Sequence, residues 1–232
     1  GNVATKFFAY SLPEGRNPDP LRKPRNQPSS GKTWTRTLYD YWRSRGAGGE
    51  IGGGNFPDFC KLVKSNLAAH RRAGVDLWNV VIYLSGHGLP AGLHSWDGRH
   101  SVPWDDVATF LGEVRAAMDG INANAHLIVV VYACYGGELY SHGLDRIPRL
   151  TLLAAAPPGT WANASSLFPG AMFQALQQGR YQTWYQFFVA IADCGYYGWE
   201  NFNDGDCAWV TPYYVGEDGQ GWYFKVKGSP PR

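Results

Sequence analysis

Val80-Val-Ile-Tyr-Leu-Ser-Gly-His-Gly88 climbs through β-branched, aromatic and aliphatic residues and then breaks at Gly86, His87 and Gly88. Such a run favours a strand, and its lack of polar alternation is the mark of a strand covered on both faces, as in the middle of a parallel sheet. Leu127-Ile-Val-Val-Val-Tyr-Ala-Cys-Tyr-Gly-Gly137 repeats the pattern with Cys134 where the first stretch has His87. Two buried strands therefore end in an imidazole and a thiol, each beside small residues.

Working outward from these, Lys6 to Tyr10 (KFFAY) reads as a further strand, and Leu150 to Pro158 (LTLLAAAPP) as a third buried one closed by two prolines. Helical spacing predicts helices over Thr35 to Arg45 and from Phe56 through Phe59, Val63 and Leu67 to a stop at Gly74. It predicts another through Val107, Phe110, Leu111, Val114 and Met118, with Asp105 or Asp106 as its capping carboxylate. Ser166 to Gln177 and Tyr181 to Ala192 read as two more, and Gly221 to Gly228 as a last, aromatic strand. Pro13 to Lys32 reads as loop, and the glycine-rich Ala47 to Gly54 as a flexible connection. Strands and helices in alternation predict an α/β fold, a three-layer α/β/α sandwich with a mostly parallel central sheet. Residues 1–232 read as one domain without internal repeat. Sites in such sheets lie outside the carboxyl ends of the strands, so His87 and Cys134 are expected to share one sheet edge.

Composition bounds the function. The 232 residues are 44% hydrophobic and 15% aromatic, enough for a sizeable core. With 21 basic and 19 acidic residues there is no global pull toward nucleic acid, and no apolar run approaches the roughly 18 residues of a membrane span. The opening GNVATKFFAY lacks the marks of a secretory signal, which leans toward the cytoplasm. Cys194 and Cys207, flanking a polar loop, and the glycosylation triplet Asn163-Ala-Ser165 are features that secretion would put to use, so the compartment stays open. The four cysteines make no CxxC pair and no zinc-finger spacing with the six histidines, and Asp204 and Asp206 lack the calcium-loop spacing, so no metal is expected. There is no GxSxG, no GxxxxGK[ST] and no HExxH.

A thiol beside an imidazole supports acyl transfer: the sulfur attacks a carbonyl and the imidazole carries the proton. Glycines around His87 let backbone approach a bound peptide, and the N–H groups of Gly88 and Cys134 are candidates for an oxyanion site. His94, His100 and Asp97 in the following loop read as ordinary surface residues. Trp161, Trp199, Trp209 and Trp222 read first as core fillers and second as pocket linings.

Leu84-Ser-Gly-His-Gly88 and Tyr132-Ala-Cys-Tyr-Gly-Gly137, each after a hydrophobic strand, resemble the caspase-like (clan CD) cysteine peptidases, the group of caspases, metacaspases, legumains, clostripain and CHAT-domain peptidases. The resemblance implies a caspase-hemoglobinase-like fold, a His87–Cys134 dyad, an oxyanion contact from Gly88, a protein or peptide substrate and no cofactor. It places the P1-pocket wall at LTLLAAAPPGTW, making Ala155 and Ala156 candidate substrate-binding residues. Tyr132 stands where metacaspases carry Asp and legumains Glu, so a basic P1 residue is not implied. Arg16, Arg22 and Arg25 fall in the early loop where caspases hold an arginine for a P1 aspartate, making Arg16 a candidate substrate-binding residue, but the surrounding motif does not align and they read first as solvated loop charges. About a dozen residues separate Gly137 from Leu150, too few for the cleavable linker of caspases. A single-chain enzyme, or one controlled by a flanking segment or regulatory partner, is expected. The resemblance implies a cysteine endopeptidase acting through a thioester. A transpeptidase or ligase with the same dyad, and a non-catalytic binding scaffold, are the alternatives.

Overall fold

The computed structural model describes residues 5–12, 31–52, 55–95, 99–162, 167–194, 198–200, 208–210, 212–223 and 225–226. In chain order the elements are β1 (Thr5–Ser11), α1 (Gly31–Ser44), β2 (Ile51–Gly52), α2 (Phe56–Arg72), β3 (Asn79–Ser85), β4 (His87–Leu89), β5 (Gly92–His94) and β6 (Ser101–Pro103). Then follow α3 (Trp104–Asp119), β7 (His126–Tyr132), β8 (Leu150–Ala154), α4 (Leu167–Gln178), α5 (Trp184–Asp193), β9 (Gly198–Glu200), β10 (Ala208–Val210), β11 (Tyr213–Val215), β12 (Gly221–Trp222) and β13 (Lys225–Val226). Two 3-10 segments, Gly136–His142 and Leu144–Arg146, join β7 to β8.

The central sheet runs β12-β11-β8-β7-β3-β1-β2, and every pairing from β8 to β2 is parallel. Side chains alternate along each strand, so one row enters each core. Phe8, Tyr10, Val80, Ile82, Val129 and Val131 join the buried faces of α2 and α3, while Phe7, Val81, Tyr83, Ile128 and Val130 join those of α1, α4 and α5. Each fully buried Leu, Ile, Val or Phe contributes about 1.5–3 kcal/mol, so both layers of helices are held chiefly by burial. The fold is thus the expected α/β sandwich.

Several local expectations are corrected. Of the stretch Ala47 to Gly54, Gly53 and Gly54 lie outside the described residues, and Ala47 to Gly52 is not a slack connection: Gly48 N–H donates to Thr5, Phe7 N–H to Gly48 and Ala9 N–H to Glu50, and β2 closes the sheet edge. Its glycines serve close approach, since a Cβ on Gly49 would overlap the backbone of Phe7 and one on Gly52 the ring of Phe59. Helix α3 has Pro103 at its N-cap with no side-chain cap, and Asp105 and Asp106 lie inside the first turn, where they oppose the positive end of the helix dipole. The expected strand Gly221 to Gly228 is divided: β12 ends the central sheet beside β11, and β13 pairs with β10 in a small separate sheet. The α2 expectation holds in detail, with Asn55 capping its start through Asp58 N–H and Gly74 at φ +64° beyond its end. Most of Pro13 to Lys32, the triplet at Asn163, and Asp204, Asp206 and Cys207 lie outside the described residues.

Candidate active site

Strands β3 and β7 run side by side in parallel register, with Ser85 opposite Tyr132, and Gly86 N–H extends the pairing by donating to the Tyr132 carbonyl at 3.2 Å. His87 and Cys134 each lie two residues beyond that last matched pair, so one register delivers both to the same carboxyl edge of the sheet. Beyond Gly86 the chain turns into β4, where His87 is exposed and pairs across to His94 on β5.

Gly88 is buried against the backbone of Cys134. A Cβ placed there would overlap the Cys134 carbonyl oxygen and lie 2.9 Å from its nitrogen, so only glycine permits this approach. The hairpin carrying His87 is anchored from behind by Trp104, which is fully buried, donates its indole N–H to the Leu89 carbonyl at 3.2 Å and donates its backbone N–H to the Ala91 carbonyl at 3.1 Å.

On the Cys134 side, Tyr135 takes a left-handed conformation at φ 55°, ψ 18°. Non-glycine residues pay of order 1–3 kcal/mol for such backbone, and the surroundings hold it: Tyr135 N–H donates to Thr160 at 2.8 Å, and its ring packs on Trp161 at 5.9 Å. Gly136 follows in tight quarters against Val131 and Ala154, and Gly137 where a Cβ would run into Pro157 and Pro158. Cys134 is half-buried, and its thiol donates to the Ala162 carbonyl over a long 3.7 Å. Burial raises the Cys134 pKa above the ordinary thiol value, against the opposing pull of hydrogen bonds with the backbone of Ala162, Cys134 itself and Gly88. The resting group is therefore a thiol with thiolate-stabilising backbone already beside it.

The segment after β8 curves over this turn. Ala155 N–H donates to Val131, Gly137 N–H to Ala156, and Gly159 N–H to the Glu138 carboxylate at 2.7 Å. Ala155 and Ala156 have no exposed surface, so they support the wall from beneath; its outward part is Pro158, Gly159 and Trp161. Backbone pairing to β7 and Gly137 draws both alanines under the sheet edge. Tyr132 is half-buried and stacked on Phe168 at 5.9 Å, as part of the packing against α4. Arg16, with Arg22 and Arg25, lies outside the described residues. Glu138, Thr160 and Ala162 are additions that sequence reasoning did not single out: Thr160 and Ala162 act through backbone carbonyls, and Glu138 through a carboxylate that accepts from Gly159 N–H. Trp161 is exposed rather than a core filler. His100 uses its backbone, not its ring, in its pairing with Ser95. Among the described residues no group of three or more His, Cys, Asp or Glu converges to hold a metal, and no helix is long and apolar enough to cross a membrane.

No family model and no curated protein matches the chain. Solved structures do: caspase-1 from Spodoptera frugiperda aligns with a TM-score of 0.59 at 11% identity, covering 83% of this chain and 77% of that one. The structure titled pro-sf-caspase-1 aligns with a TM-score of 0.57 at 11% identity, covering 84% and 81%. The likeness is one of fold, and the fold is caspase-like.

Proposed function

We propose that the chain is a cysteine endopeptidase in which Cys134 is the nucleophile and His87 the proton carrier. The observation that carries the reading is the shared register of β3 and β7, which sets an imidazole and a thiol at one sheet edge with Gly88 backbone lying on Cys134. In this reaction the Cys134 sulfur bonds to the scissile carbonyl carbon while its proton passes to His87. The imidazolium then protonates the leaving amine as the C–N bond breaks, giving a thioester. Water next attacks the thioester, yielding its proton to His87, and the carboxylic acid departs as the thiol is restored. The N–H groups of Gly88 and Cys134 are the donors for the oxyanion of each tetrahedral intermediate. Burial raises the Cys134 pKa, so attack requires the thiol proton to be given up to His87. The exposed Trp161 and Tyr135 beside the thiol suit an uncharged or aromatic substrate side chain.

The test is turnover of a diverse peptide mixture by the chain and by Cys134→Ala and His87→Ala, with products read by mass. Cleavage by the parent and none by Cys134→Ala is expected, with the variants' folds checked by circular dichroism. Cleavage that survives Cys134→Ala overturns the assignment. Products carrying an added amine in place of water would instead assign a transpeptidase.

A further inference from the structure

Beside Cys134 two loops are fastened to each other: the turn from Tyr135 to Glu138 and the wall from Ala156 to Trp161. Tyr135 N–H donates to the Thr160 carbonyl at 2.8 Å, and Gly137 N–H to the Ala156 carbonyl at 2.9 Å. Both links run from the turn to the wall through main chain, so any residue type other than proline would supply them. Between their wall ends lies the tip, Pro157-Pro158-Gly159. Prolines carry no N–H, so Gly159 brings the first main-chain donor of the tip, and the Glu138 carboxylate accepts it at 2.7 Å. Glu138 also closes the turn from within, its own N–H donating to the Tyr135 carbonyl at 2.9 Å.

This third link depends on a side chain. A carboxylate accepting an N–H makes a charge-assisted bond, roughly twice as strong as one between neutral groups. Gly159 stands at φ +70°, and a Cβ built on it would meet nothing within 4 Å, so packing does not hold the tip there and the hydrogen bond does. Behind it, the Thr160 N–H and hydroxyl both donate to the Pro157 carbonyl, at 3.3 and 2.9 Å, and Thr160 is buried, which makes the tip one stiff unit with the adjoining Trp161. Trp161 in turn precedes Ala162, whose carbonyl accepts the Cys134 thiol, and its exposed ring packs on Tyr135 at 5.9 Å.

We propose that Glu138 is a positioning residue for the substrate side chain: by holding the Gly159 N–H it fixes the wall tip, and with it the Trp161 ring, where an aromatic group bound next to Cys134 can pack. The proposal rests on the peptidase reading for its substrate, but its geometry is probed without turnover.

Chloroacetamide and N-benzylchloroacetamide both alkylate a thiol, the sulfur forming a C–S bond as chloride leaves and the thiol proton passing to buffer. Only the second carries a ring for the wall. Their rates at Cys134 are read by mass after peptide mapping. The parent is expected to prefer the benzyl reagent by about fivefold or more. Glu138→Ala, and Glu138→Asp, which is one methylene too short to reach Gly159, are expected to lose that preference while their chloroacetamide rates stay within about twofold. Glu138→Gln keeps an oxygen acceptor and is expected to keep the preference. No preference in the parent, a parental preference in both Glu138→Ala and Glu138→Asp, or its loss in Glu138→Gln as well, overturns the proposal. Should Glu138→Ala not fold, Glu138→Asp and Glu138→Gln decide. Peptide turnover is followed in parallel, where a raised KM with kcat held is expected for Glu138→Ala. A parent that turns over no peptide while the alkylation pattern stands overturns the peptidase reading alone.

Discussion

A methyl group at Gly88 has nowhere to go, because the Cys134 backbone already occupies its place. Gly88→Ala must therefore push the β4 hairpin away from the Cys134 turn. Displacements of about 1 Å near a reacting group cost on the order of 100-fold in rate, and overpacking costs about 1–3 kcal/mol. Peptide turnover is expected to fall at least that far, with a lower Tm, and unchanged kinetics would show that the approach is not needed. The thiol itself makes a second expectation. Burial raises its pKa, so thiolate, the reactive form, is scarce at neutral pH and accumulates only above the ordinary thiol range of about 8.5. Iodoacetamide modification of Cys134, followed by peptide mapping over roughly pH 6 to 10, is expected to rise throughout. A plateau at neutral pH would reveal a preformed thiolate and contradict the resting state described.

His126 shows how elements are tied together at the other end of the sheet. It opens β7, its ring contacts Thr151 of β8 at 2.9 Å, and its Nδ1 lies 2.7 Å from the Glu217 carboxylate after β11. Burial lowers its pKa, helped by Arg115 and Arg149, and outweighs the opposing attraction of Glu217. A lowered folded-state value means that the unfolded chain binds the proton more readily. The contribution to stability is full above the ordinary histidine range and is lost as pH falls through the folded value. Urea midpoints measured from neutral to mildly acid pH are expected to drop further for the parent than for His126→Gln. Parallel losses would refute the linkage. Long elements such as β3, β7 and α2 were legible because apolar period and capping residues agree over many positions. By contrast β2, β4, β5, β6 and β11 have two or three residues each, too few for a period to show, and they exist because tertiary pairing holds them. The glycines before β2 read as slack by composition, whereas in the fold they are what lets two backbones touch.

The whole chain folds with β7 and β8 joined by a short, packed connection rather than an exposed linker. Leu139 and Leu144 are buried within its two 3-10 segments, and Glu138 ties it to Gly159. The active protein is accordingly expected to be uncut between Glu138 and Arg149. Intact mass of the turnover-competent species checks this, and activity only after cleavage there would contradict it. The two candidate site residues were legible because each ends a long hydrophobic strand. The wall above them was not, since Thr160 and Ala162 act through carbonyl groups that any residue type supplies. The central claim, that one strand register makes Cys134 and His87 a single catalytic unit, is met most directly by mass analysis of a diverse peptide mixture incubated with the parent, Cys134→Ala and His87→Ala. Cleavage by the parent that disappears in Cys134→Ala and falls by orders of magnitude in His87→Ala is the predicted result. Equal cleavage by the parent and Cys134→Ala would contradict it.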